Sequence, residues 1–135
     1  MKKYLLLVAV LTIGLLISGC HNATPKKGLL QGNVSIGPTS PVEMPSDENN
    51  IRCEFYEARK IMIYDEDGTK LLMQVDIECN SVENYARYRV ELDPGFYTVD
   101  INHIGVDFSS DVPKIIEIIS GATVKLDIDI NTGIR

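Results

Sequence analysis

The sequence predicts an all-β domain, a seven-stranded antiparallel Greek-key-type β-sandwich preceded by a cleaved leader, and three observations predict it. After Leu29 the apolar residues recur with a period of two, the signature of strands with one dry face. Short clusters of Asp, Pro, Ser and Gly interrupt that alternation at hairpin intervals. Beyond the first twenty residues no stretch carries a helical period ten residues long. Two half-dry sheets packed face to face are the simplest way to bury such stripes.

The elements follow in order. Gly32-Asn33-Val34-Ser35-Ile36 alternates and stops at Gly37-Pro38. Ile61 and Ile63 alternate with Met62 and Tyr64. Leu71, Met73, Val75, Ile77 and Cys79 hold every odd position of one stripe. Tyr88, Val90 and Leu92 interleave with Arg87, Arg89 and Glu91, and Tyr97, Val99 and Ile101 with Thr98 and Asp100. Ile116 and Ile118 flank Glu117, and Val124, Leu126, Ile128 and Ile130 alternate with Lys125, Asp127 and Asp129. Asp65-Glu66-Asp67-Gly68, Asp93-Pro94-Gly95 and Ser120-Gly121 are the turns, each with a glycine able to adopt positive φ. Two connections are long, residues 37–57 and 102–113, and long loops on a rigid sandwich are where specificity resides.

The leader is a different kind of segment. Met1-Lys2-Lys3 is positive, and residues 5–17 carry no charge. As a helix that run spans about 20 Å, short of a hydrocarbon core of about 30 Å, which marks a signal peptide rather than a permanent span. Ile17-Ser18-Gly19-Cys20 resembles the lipobox of bacterial lipoproteins: an aliphatic residue, two small ones, then cysteine. The resemblance implies a diacylglycerol on the Cys20 thiol and cleavage before it. Thiolate nucleophilicity suits thioether formation, and several acyl chains anchor where one is marginal. Residues 1–19 are then signal peptide, 20–28 the lipidated cysteine and tether, and 29–135 the sandwich domain. His21 reads as a solvated tether residue, and as a residue other than aspartate after the lipid cysteine it favours, by enterobacterial usage, the outer membrane. The expected location is the cell membrane or outer membrane, lipid-anchored on the non-cytoplasmic side.

The domain also resembles a family. Gly32-x-Val34-x-Ile36-Gly37-Pro38-x-x-Pro41-Val42, the Tyr64-Asp65-x-x-Gly68 hairpin, Leu92-x-Pro94-Gly95-x-Tyr97 and the closing Thr132-Gly133-Ile134-Arg135 look like the carboxypeptidase regulatory-like family. The resemblance implies a transthyretin-like (prealbumin-like) sandwich that accompanies enzymes or surface assemblies without catalysing. Many such lipoproteins carry cysteine before the second proline, where this chain has Ser40.

Composition excludes several functions. The 135 residues suffice for one domain, and the net charge is −6, or −8 from Cys20 onward with eleven basic against nineteen acidic residues. An acidic domain with no basic run is a poor partner for nucleic acid. A histidine-based catalytic site would have to use His103, the one histidine of the domain. The transthyretin-like enzyme 5-hydroxyisourate hydrolase carries several histidines and a closing Tyr-Arg-Gly-Ser that this chain lacks. No catalytic residue, cofactor or metal is therefore expected. Cys53, Cys79 and His103 lack any CxxC spacing for zinc, and the acidic groups at 65–67 and 127–129 lack a calcium loop.

Cys53 and Cys79 could pair in an oxidising compartment. A three-residue loop at 66–68 sets Ile63 opposite Leu71 and Ile61 opposite Met73. Extended, that ladder places Phe55 opposite Cys79, with Cys53 one diagonal step away at roughly 7–8 Å, too far for a bond without a bulge or a loop movement. A disulfide, or a buried thiol at 79 with a loop thiol at 53, both stay open. The function expected is a membrane-anchored, non-catalytic binding or structural module facing an envelope protein or ligand. The alternatives are a small-ligand or carbohydrate-binding module, for which only Phe55, Tyr56, Phe96 and Phe108 offer aromatic surface, and an enzyme with no recognisable site.

Overall fold

A computed structural model describes residues 23–39, 41 and 50–134; the leader, Cys20, His21 and most of the first long loop lie outside the described residues. In chain order the elements are β1 (Gly28–Gly37), a helical turn α1 (Glu54–Glu57), β2 (Lys60–Tyr64), β3 (Leu71–Asp76), β4 (Glu78–Asn80), β5 (Tyr85–Leu92), β6 (Gly95–Ile101), β7 (Lys114–Ile118), β8 (Thr123–Lys125) and β9 (Ile128–Asn131). One sheet runs β4-β5-β1, with β8 and β9 both along the far edge of β1; the other runs β3-β2-β6-β7. Leu30, Val34, Ile61, Ile63, Tyr88, Val99, Ile118, Ile128 and Ile130 meet between them in one core. The period-two stripes thus become the inner faces of a β-sandwich.

Two expected strands are broken, which turns seven into nine. The 71–79 stripe changes sheets at the buried Ile77: β3 pairs with β2, whereas β4 pairs with β5. A strand that turns such a corner keeps its alternation, so the sequence pattern does not reveal it. The 124–130 stripe is interrupted at Leu126 and Asp127, yet Leu30 faces Val124 and Val34 faces Ile128, an unchanged register. At the interruption the Leu126 carbonyl presses against Gly32, where a Cβ would lie 1.8 Å from its oxygen. The Leu126 N–H donates to Gln31 O at 3.0 Å, and the buried Tyr88 hydroxyl donates to Leu126 O at 2.7 Å. Burial pushes the Tyr88 phenol far above its ordinary pKa. Tyr88→Phe is expected to cost about 1–2 kcal/mol, because it orphans a buried carbonyl. Urea unfolding checks this as a lower midpoint at unchanged slope.

Other expectations are corrected by the pairing. The first and last strands lie parallel (β1 with β8 and β9), so the first sheet is not antiparallel throughout. The hairpin register is two residues wider than expected: Ile61 faces Val75 and Ile63 faces Met73, with a bulge at Ile63/Tyr64. The Asp65 carboxylate holds the loop open, accepting the Thr69 and Lys70 N–H groups at 2.8 and 3.0 Å. Those bonds hold its carboxyl below the usual range, the Lys70 N–H foremost. Leu71 and Met73, expected on a dry face, are exposed on β3, which among the described residues is an edge strand paired to β2 alone.

The long axis of β1 spans about 33 Å and defines two ends. At the Gly28 end the tether enters. There Ser120 Oγ donates to Lys26 O at 2.8 Å and the Gly121 N–H donates to Lys27 O at 3.2 Å. The 93–95 turn lies at this end too, since Gly28 faces Leu92. The described parts of the two long connections lie at the Gly37 end.

Candidate functional site

The two long connections meet at the Gly37 end. The first returns through α1 to Arg59, just before β2, and the second leaves β6 at Ile101. Asn102 ties them: its Oδ1 accepts the Lys60 N–H at 3.0 Å, and its Nδ2 donates to Ala58 O at 2.9 Å. Arg59 Nε and Nη2 donate to the Asp107 carboxylate at 2.7 and 3.0 Å, a two-pronged fit that the planar guanidinium favours. The third nitrogen, Nη1, donates to Phe55 O at 2.6 Å. The pair is out of water, with side-chain exposures of 12% and 4%. Phe108 exchanges main-chain bonds with Asn131 at 3.0 and 2.8 Å, and the Thr132 N–H and hydroxyl donate to Gly37 O and Pro38 O. Four separate segments thereby become one surface. Its outward side chains are apolar: Ile104, Val106, Phe108 and Ile134 are all exposed.

His103 sits in this surface with φ +35° and both ring nitrogens engaged, Nδ1 at 3.1 Å from Asp107 O and Nε2 at 3.1 Å from Asp100 Oδ1. Neither nitrogen is offered to a nucleophile. The Asp107 carbonyl is the largest cause that raises its pKa above the ordinary value, with Asp100 adding to it. The folded state thus binds the proton more tightly than the unfolded chain. Its contribution is fully present below the unfolded pKa, near 6.5, and is lost as pH rises through the folded value. A ring titration by NMR, with hydrogen exchange of residues 104–108, is expected to show the loop opening more readily on the alkaline side.

Cys53 and Cys79 are joined in a disulfide, with Cα atoms 5.5 Å apart. The extended ladder that set Phe55 opposite Cys79 does not form. Residues 54–57 coil into α1, which turns Cys53 toward β4. Joined to each other, these sulfurs are not available to a metal, and the described residues hold no group of three or more His, Cys, Asp or Glu suited to one. Asp127 and Asp129 face solvent and take local donors, the Asn33 N–H and the Ser35 hydroxyl, each at 2.8 Å. Of the loop aromatics, Tyr56 is buried, Phe55 lies beneath Arg52 at 4.7 Å, and Phe96 is at the tether end, leaving Phe108 exposed at the loop end.

No protein-family model matches the chain. No curated protein matches it either. Among solved structures it is similar to the minor pilin GBS52 of the Gram-positive pathogen Streptococcus agalactiae, with a TM-score of 0.48 and 10% identity over 79% of this chain. The match covers 45% of the pilin chain, so this chain spans less than half of that structure's length.

The sequence did not announce the Arg59–Asp107 pair. Forty-eight residues separate the partners, and both lie outside the alternating stripes. A lone arginine just before a strand and an aspartate between Val106 and Phe108 carry no spacing that would join them.

Proposed function

We propose that this chain is a lipid-anchored envelope protein whose sandwich is a non-catalytic module, holding its loop end away from the membrane toward another envelope component. The resemblance of Ile17-Ser18-Gly19-Cys20 to a lipobox suggests the anchor, and the resemblance of the domain to carboxypeptidase regulatory-like proteins suggests the module. The observation that carries the reading is positional: the tether enters at the Gly28 end, and the described part of the first long loop joins the second at the opposite one. A domain carried that way turns an apolar, hydrogen-bond-stitched surface outward, with its histidine committed to holding the loop.

Two measurements test it. Cys20→Ser is expected to abolish labelling by an alkyne fatty acid and to release the protein from membranes. A photo-crosslinking residue at Val106 is expected to capture a discrete partner in cells, while one at Pro94 does not. Equal capture at both positions, or none at Val106 with full lipidation, would overturn the proposed orientation.

A further inference from the structure

The outer face of the first sheet holds a concavity of about 400 Å³ that the loop surface does not involve. Arg89, Gln31 and Lys125 lie in one row across three neighbouring strands, since Gln31 faces Arg89 on β5 and Lys125 on β8. With strands about 4.8 Å apart, the carboxamide stands between a guanidinium and an ammonium. Asn33 and Arg87 form the next row.

Charge makes this arrangement unusual for the domain. Arg87 and Arg89 project from the same face two residues apart, about 7 Å, and repel one another. Arg87 is held in place: it packs 4.3 Å over the Tyr85 ring and donates twice to Glu78 at 3.2 Å. Lys125 reaches Asp127 at 3.2 Å. Arg89 has no hydrogen bond or ion pair among the described residues. Among the described residues, a chain this rich in carboxylates thus leaves the Arg89 guanidinium without an ion pair beside that of Arg87, at a polar hollow large enough for a small ligand.

We propose that this hollow binds an acidic sugar, its anionic group between Arg89 and Lys125 and its hydroxyls on the Gln31 and Asn33 carboxamides. Glu78 in the lining and Asp127 paired to Lys125 limit the site to one anionic group, which disfavours a densely charged polymer. The site shares no residue with the loop surface, so it stands or falls independently of the proposed orientation.

The test is a titration of the folded domain, followed by amide NMR, with glucuronate, glucose and inorganic phosphate. Saturable shifts at Gln31, Asn33 and Arg89 are expected with glucuronate alone. Arg89→Gln and Lys125→Gln should each weaken binding about tenfold, as loss of one charge-assisted bond implies, whereas Arg52→Gln at the far end should not. Rising salt should weaken it as well. Unsaturable shifts, equal binding of glucose, or full binding by both charge variants would overturn the site. Phosphate binding as tightly as glucuronate would overturn the assignment of a sugar.

Discussion

Arg59→Met is expected to destabilise the domain by about 3–5 kcal/mol, the cost of leaving a buried carboxylate without its partner. Asp107 is 4% exposed and accepts two guanidinium bonds, so removing the guanidinium leaves a buried carboxylate short of two donors. The same substitution frees the Phe55 carbonyl from Nη1, and α1 loses its clamp to the second loop. The double variant Arg59→Met/Asp107→Leu is expected to recover much of the loss, because it removes both charges rather than one. Denaturant unfolding of the four corners of this cycle measures the coupling. A single-variant loss below about 1 kcal/mol would place the pair with ordinary surface bridges instead.

Removing the disulfide is the second large effect. Cys53 and Cys79 close a loop of 26 residues, and loop-closure entropy makes the link worth about 3.5 kcal/mol. The loop contains α1, β2 and β3, so without the link the unfolded chain gains freedom across a quarter of the domain. Cys53→Ala/Cys79→Ala is expected to lower Tm by more than roughly 10 °C, and a reductant should lower the parent's Tm toward the same value. A parent whose melting ignores reductant would show that the link contributes nothing.

Legibility in the sequence followed periodicity closely. Five of the seven alternating stripes became single strands and the other two became a pair of strands each, and the three turns fell where Asp, Pro, Ser and Gly gathered, because burial of one face fixes both. What periodicity cannot register was lost. A two-residue shift of the β2–β3 hairpin keeps each side chain on its face, so nothing in the pattern reported that Asp65 widens the loop. The corner at Ile77 preserves alternation while changing sheets. The cysteine pairing is not legible because a four-residue helical turn is too short to show a period, and an extended ladder through Phe55 fits the sequence equally well. The loop end was legible as two long connections, and its cohesion was not, since Arg59–Asp107 and Phe108–Asn131 join residues that no local pattern connects.

The parallel placement of β1 beside β8 and β9 has a mechanical consequence. A pull between residue 27 and the loop end acts along the strand axes, so the hydrogen bonds flanking β1 are loaded together in shear rather than opened one at a time. The same domain pulled from its Ile134 end against Gly37 would unzip β9 from β1 bond by bond. Tension along the first direction therefore meets the stiffest geometry the sheet offers, and a domain held at one end and gripped at the other resists it with the whole length of its longest strand.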